Sequence, residues 1–213
     1  SLADAIHFRQ VASIIKADPT RRFVIPSAPG KRFSDDVKVT DLLYACYEEA
    51  RAGRDITETY QKIVDRFEGI IAELGMTFDL GGEFDYIKNA LLHHSGRDFA
   101  ASRGEYVNGL ILAKYLGYDF IDAESVIFFK DDGTFDERKT DEVLRAELAR
   151  HTAAVIPGFY GCMPNGTIKT FSRGGSDVTG SIVARASDAD LYENWTDVSG
   201  FMMADPRIVK SPR

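Results

Sequence analysis

The 213-residue sequence predicts an α/β layered fold with a mainly parallel sheet. Three observations carry that prediction. The first 116 residues hold helical apolar patterns interrupted by one short apolar strand. From Tyr118 onward, short strand-like runs alternate with helical ones. The runs open into loops rich in Gly, Ser and Pro. Strands joined through helices run parallel, and ligands on such sheets collect in the loops beyond the strands' carboxyl ends.

Each element follows from local pattern. Between Leu2 and Lys16, Ile6, Val11, Ile14 and Ile15 recur near helical spacing, and the "ADP" of Ala17 to Pro19 stops the helix. "RFVIPSAPG" reads as a short strand running into a loop. A helix is expected to start at Thr40, a good N-cap residue, and to carry Leu42, Leu43, Cys46 and Tyr47. Ile56 to Leu74 has the clearest stripe, with Tyr60, Ile63, Val64, Phe67, Ile70, Ile71 and Leu74 at three-and-four spacing. Two more helices fall at Glu83 to His94 and Asp98 to Leu116. Then "YDFID" and "VIFF" read as strands, "DEVLRAELARH" as a helix, and "AAVIPGFYG" as a buried strand followed by a glycine loop. "TIKTFS" is a strand, Asp177 to Ala186 a helix, and "LYENWTDVSG" a strand running into a loop.

Composition bounds the partners. With 44% hydrophobic residues the chain can bury a core, and 33 acidic against 26 basic residues leave a net charge of -7. A broad electrostatic footprint for nucleic acid is therefore excluded, and any anion must be bound locally. Cys46 and Cys162 lie far apart without zinc-ligand spacing, which suggests neither a disulfide framework nor a metal site and fits a cytoplasmic protein. No apolar run approaches the ~18 residues of a membrane span. Adjacent His93 and His94 face different directions on a helix, while His7 and His151 lack nearby ligands, so all four read as structural or surface residues.

Four polar clusters remain as candidates. In "SRGGSD", Gly174 and Gly175 let the backbone approach a ligand, and the following helix start offers free N–H groups to an anion. Arg173 adds a bidentate fork for a carboxylate or phosphate and Ser176 a hydroxyl, whereas Asp177 would repel an anion unless a cation neutralises it. A capped helix N-terminus explains the same residues. "SRGE" sets Glu105 within an apolar helix, where it could hold a substrate ammonium or pair with a surface lysine. "PSAPGK" offers backbone donors at Ser27, Ala28 and Gly30 beside Lys31, but it lacks Walker A spacing and is also an ordinary turn. "TDVSGFMMADPR" supplies Thr196, Asp197 and Arg207, which could cap a helix or meet a ribose, base or phosphates. The charged run Arg32 to Lys38 discloses no role.

Taken in order, "VIPSAPGK" with "TDLL", "SRGEY", "PGFYG", "RGGSDVTGS" and "WTDVSGFMMADPRIV" resemble the catalytic domain of the aspartate kinases, within the amino acid kinase family. The resemblance runs through nearly the whole chain. It implies a three-layer α/β/α sandwich around a mainly parallel sheet, with an amino-acid-substrate lobe over about residues 1–150 and the start of a nucleotide lobe over about 151–213. It gives the α-carboxylate of aspartate to Arg173, the ammonium to Glu105, and supporting hydrogen bonds to Thr40 and Ser176 in the "RGGS" turn with Gly174 and Gly175. Asp177 would organise catalytic lysines. Thr196, Asp197, Met202 (against adenine) and Arg207 would form the ATP site, with Ser27 and Ala28 near the transferred phosphate. The family's lysine-bearing "KFGG" loop would precede Ser1, and a second lysine segment and ACT domains would follow Arg213.

The activity so implied is cytoplasmic phosphoryl transfer from ATP, as Mg-ATP, to the β-carboxylate of L-aspartate, giving 4-phospho-L-aspartate for lysine, threonine and methionine biosynthesis. The full-length protein would form a homodimer or higher homo-oligomer. A related kinase for another carboxylate, such as acetylglutamate, or a non-catalytic aspartate-binding regulatory module are the alternatives. Glu105 separates the first, because an acylated amine has no charge for it to meet.

Overall fold

A computed structural model describes residues 2–93, 95–172 and 175–195. The described residues among the first 116 form five helices around one short strand. Helix α1 (Ala5–Lys16) starts where the Asp4 side chain accepts from the His7 backbone N–H at 3.0 Å, satisfying an N-terminal donor. It buries Ala5, Phe8, Ala12 and Ile15, whereas Ile6 is exposed. Phe8 is the largest apolar side chain of this helix, so its face turns inward and Ile6, two positions away, is carried outward. Helices α2 (Val39–Arg51), α3 (Thr57–Glu73), α4 (Gly81–Leu92) and α5 (Arg97–Leu116) follow. On α3 the expected stripe is buried at Tyr60, Ile63, Phe67, Ile70 and Ile71.

Thr40 is not the N-cap of α2. Lys38 holds that position without a side-chain cap bond. Val39 is fully buried and its N–H donates to the Pro29 carbonyl at 3.3 Å, so an apolar anchor moves the cap two residues earlier.

Strands β1 (Phe23–Val24), β2 (Asp119–Phe120) and β3 (Ala154–Val155) make a parallel sheet in the order β1-β3-β2, with Phe23 and Asp119 both in register with Ala154. The α/β class with a parallel sheet is therefore as the alternation predicts. "AAVIPGFYG" divides in two: after β3, Tyr160–Cys162 forms β4, which pairs antiparallel with β5 (Ile168–Thr170). Gly166 at φ 82° makes the intervening turn possible. The expected "VIFF" strand is reduced to isolated bridges at Phe128 and Phe129. Before it lies a short helix, α6 (Ala123–Val126), whose Asp122 cap accepts from the Glu124 N–H at 3.1 Å. Helices α7 (Glu137–Leu148) and α8 (Gly175–Ala186) complete the fold.

Leu191 to Trp195 is not a strand. Side-chain contacts tether it instead: Glu193 accepts from Arg21 at 2.6 Å, and the Arg21 guanidinium lies 5.6 Å from the Trp195 ring centroid.

Among the described residues the core has two clusters. One joins α1 to α5 around Phe8, Leu43, Phe67, Leu91 and Ile111, with Val155 from the sheet. The other gathers Ile127, Leu144, Ile156, Tyr160 and Val183 from α6 to α8 and the strands. Tyr106 and Ile168 pack against both. No helix among the described residues is long and apolar enough to cross a membrane.

Two expectations about charged residues change. His7 and His151 do have carboxylate neighbours: Asp4 lies 2.7 Å from His7, while Asp119 and Glu147 lie 2.7 and 3.0 Å from His151. Those two carboxylates raise the His151 pKa. His93 is exposed as expected, and His94 lies outside the described residues. Arg32 to Lys38, without a role in the sequence, forms a clamped loop. Asp36 accepts from Arg32 at 2.8 Å and from the buried Arg66 at 2.7 Å, and Arg66 also donates to the Gly30 carbonyl at 2.6 Å and the Ala3 carbonyl at 3.2 Å.

Candidate functional site

The centre of α5 is buried on every side. Ser102, Arg103, Gly104, Glu105 and Asn108 all lie inside it, so this helix carries polar groups through the interior rather than along a solvent face. Gly104 is required by a close approach. A Cβ there would stand 2.9 Å from the Ala28 Cβ and 3.7 Å from the Thr40 Oγ1. The loop leaving β1 and the first turn of α2 thus converge on the turn of α5 that carries Glu105.

Glu105 is 8% exposed, and its Oε2 has no hydrogen-bond partner among the described residues. Burial pushes its pKa up to about 7, opposed by the backbone N–H groups of Glu105 and Ala28 and by the charge of Arg103. Such a carboxyl gains most from a cation that enters its pocket.

The carboxyl ends of β1 and β3 supply the opposite wall. Ser27 Oγ lies 3.5 Å from Ser176 Oγ in the first turn of α8. A Cβ on Gly158 would come within 2.8 Å of the Ser176 Cα, and one on Gly175 would collide with Phe159, so both glycines are dictated by tight loop packing. Phe159 itself takes φ 81°, rare for a bulky residue. It is held there because its N–H donates to Thr179 Oγ1 at 3.1 Å and its carbonyl accepts from the Phe171 N–H at 2.9 Å. The "PGFYG" loop therefore seats the N-terminus of α8, whose first N–H groups and positive dipole end suit an anion.

Asp177 is exposed on the same turn, and its Oδ1 accepts from Asn194 at 3.1 Å. Ser27, Ala28, Thr40, Glu105, Gly175, Ser176 and Asp177 all lie on these converging segments. Lys31 turns back to donate to the Ser34 carbonyl at 3.0 Å. Arg173, Gly174, Thr196, Asp197, Met202 and Arg207 lie outside the described residues. Among the described residues no group of three or more His, Cys, Asp or Glu side chains is arranged to hold a metal ion.

Two interior residues of α5 were not singled out from the sequence. Arg103 is 2% exposed, with its guanidinium 4.6, 4.5 and 5.1 Å from the ring centroids of Phe99, Tyr106 and Tyr160. Tyr160 in turn donates to Asp122 at 2.6 Å. Asn108 is fully buried and donates through Nδ2 to the Ser27 carbonyl at 2.7 Å. Its signal was its position, three residues after Glu105 amid the apolar Val107, Leu110 and Ile111.

Known proteins match this arrangement. The model of the "Amino acid kinase family" matches residues 1–213. Aspartokinase 3 of Bacillus subtilis is 35% identical over 228 residues, covering 100% of this chain and 50% of that protein. The crystal structure of Clostridium acetobutylicum aspartate kinase superposes with a TM-score of 0.93 at 51% identity, over 100% of this chain and 49% of that one. E. coli aspartokinase III, solved in complex with lysine and aspartate, gives a TM-score of 0.81 at 25% identity over 98% of this chain and 50% of that one. The chain spans about half the length of these relatives. Matched along its whole length, and with its loops converging at the strand ends, the chain belongs to the amino acid kinase family.

Proposed function

We propose that the chain is the substrate-binding part of an aspartate kinase, which transfers the γ-phosphoryl group of ATP to the β-carboxylate of L-aspartate and yields 4-phospho-L-aspartate. The observation that carries this reading is Glu105, a buried carboxyl whose Oε2 has no partner among the described residues, beside the loop that meets the N-terminus of α8. Aspartate fits such a site because it brings an ammonium for Glu105 and carboxylates for donors. An acylated amine is neutral and has nothing to offer Glu105, which disfavours an acetylglutamate kinase. The similarity to aspartate kinases, one of them solved with aspartate, supports the same substrate.

The roles follow from charge and position. Glu105 takes the substrate ammonium, Arg173 its α-carboxylate, and Thr40 and Ser176 add hydrogen bonds, with Gly174 and Gly175 allowing close backbone approach. The β-carboxylate, with an ordinary pKa of about 3.9, is already ionised at neutral pH, so the chain needs no general base. Catalysis rests on holding two anions in line and offsetting the charge of the phosphoryl group. Mg2+ enters with ATP as part of that substrate. Ser27 and Ala28 border the transferred phosphoryl group, Asp177 orients catalytic lysines, and Thr196, Asp197, Met202 and Arg207 hold the nucleotide. On this reading residues 1–150 serve mainly the amino acid and 151–213 begin the nucleotide lobe, in a cytoplasmic homo-oligomer.

Hydroxylamine trapping of acyl phosphate by the full-length gene product tests the proposal, with Mg-ATP and either L-aspartate, L-glutamate or N-acetylglutamate. Signal with aspartate alone is expected. No signal with any of the three would return the chain to the class of non-catalytic binding modules.

A further inference from the structure

Asn108 is a buried polar side chain with one half accounted for. Its Nδ2 donates to the Ser27 carbonyl at 2.7 Å, and that bond fixes the amide so that Oδ1 must act as an acceptor. Oδ1 is buried, and no described residue donates to it. Glu105 Oε2 is in the same condition. The two residues are three apart on α5, so their side chains are neighbours on one face of the helix. Both also border the same outer wall: Asn108 bonds to Ser27, and the Ala28 N–H acts on the Glu105 carboxyl. An unmet buried acceptor is costly, and two side by side call for a group with several donors.

We propose that Asn108 is a second acceptor for the substrate's primary ammonium, completing with Glu105 a seat that reads an unsubstituted amine. This rests on the reading of Glu105 as the ammonium partner. An ammonium carries three N–H donors, enough for a carboxylate oxygen and an amide oxygen at once. Glu105 supplies the charge and Asn108 the direction, so an N-acylated amine fails twice, by losing its charge and by keeping a single N–H. Exposed Ser27 forms the outer side of the seat.

The test uses the full-length enzyme and two ligands that differ only in the amine. L-Aspartate is the substrate, and succinate, with the same two carboxylates and no amine, is a competitive inhibitor. In Asn108→Ala the KM for aspartate rises about tenfold to a hundredfold, the loss expected for one hydrogen bond to a charged group. The Ki of succinate and the KM of ATP stay within about threefold of wild type, because neither ligand brings an amine to the seat. Equal losses for aspartate and succinate would overturn the proposal and leave Asn108 as a brace for Ser27. If wild-type and Glu105→Gln enzymes bind aspartate equally well, the reading of Glu105 itself fails, and the shared seat fails with it.

Discussion

At the residue scale, the titration of Glu105 links stability to function. Its pKa rises from an ordinary 4.5 to about 7 because burial penalises the charged form. The folded chain therefore binds the proton more tightly than the unfolded chain between those values, and stability falls as pH rises through that window and levels off above it. A shift of this size corresponds to about 3 kcal/mol. Glu105→Gln, which keeps the shape and removes the charge, is expected to gain stability by up to about that amount at pH 8. The gain should shrink toward pH 5, as urea unfolding at the two pH values would reveal. The same variant should bind aspartate poorly, and the wild-type KM for aspartate should fall as pH rises through about 7, where Glu105 becomes the anion an ammonium needs. A KM insensitive to pH across that range would contradict the assigned role.

The loop between β1 and α2 shows what elements contribute. Asp36 and Arg66 face each other at 2.7 Å with side chains only 9% and 6% exposed, and Arg66 reaches the Gly30 and Ala3 carbonyls besides. Its guanidinium ties α3 to the N-terminal segment and to the loop that carries Ser27 and Ala28. Arg66→Met leaves Asp36 paired with Arg32 but removes the donor to the Gly30 and Ala3 carbonyls, so it is expected to cost about 1 to 3 kcal/mol. Arg32 and Arg66 hold the Asp36 carboxyl well below the usual carboxylate range. The stability it contributes is thus complete above about pH 4 and is lost as pH falls through the folded value. Asp36→Asn should abolish that acid-side dependence, and chemical denaturation at pH 3 to 7 measures it. His151 does the opposite between β2 and α7, because its raised pKa gives stability that is present at low pH and lost as pH rises past the folded value.

Across the whole molecule, the two core clusters meet where Arg103 of α5 lies among Phe99, Tyr106 and Tyr160. Phe99 belongs to the first cluster and Tyr160 to the second, while Tyr106 packs on both. A guanidinium with three rings around it can be buried because the ring faces receive its charge and its stem fills the space between them. Arg103→Ala leaves a cavity at this junction and is expected to cost about 3 kcal/mol. It should also loosen the coupling of the two clusters, so that thermal unfolding followed near Trp195 and by far-ultraviolet circular dichroism separates into two transitions. Coincident transitions in the variant would show that the clusters are coupled elsewhere. By contrast, between α7 and α8 Arg185 pairs with Glu137 and Asp141.

The amino-acid sequence alone determined the α/β class, the helical stripes and the polar loops, because period and turn chemistry are local properties. The stripe of α3 and the glycines of the loops were legible for that reason. Other features depended on which surfaces meet. Val39 displaced Thr40 from the N-cap of α2 because a buried anchor outweighs a capping hydroxyl, and Phe8 turned Ile6 outward. Six of the named site residues, Arg173, Gly174, Thr196, Asp197, Met202 and Arg207, lie outside the described residues, so their placement rests on the sequence resemblance. Arg32 to Lys38 had no local pattern to read, since its partner Arg66 lies 30 residues beyond Asp36. Asn108 stood in the sequence as one polar residue in an apolar run. Only the tertiary structure placed Ser27 against it and left its oxygen, like that of Glu105, buried without a described donor, because burial and pairing are set by segments distant in the chain.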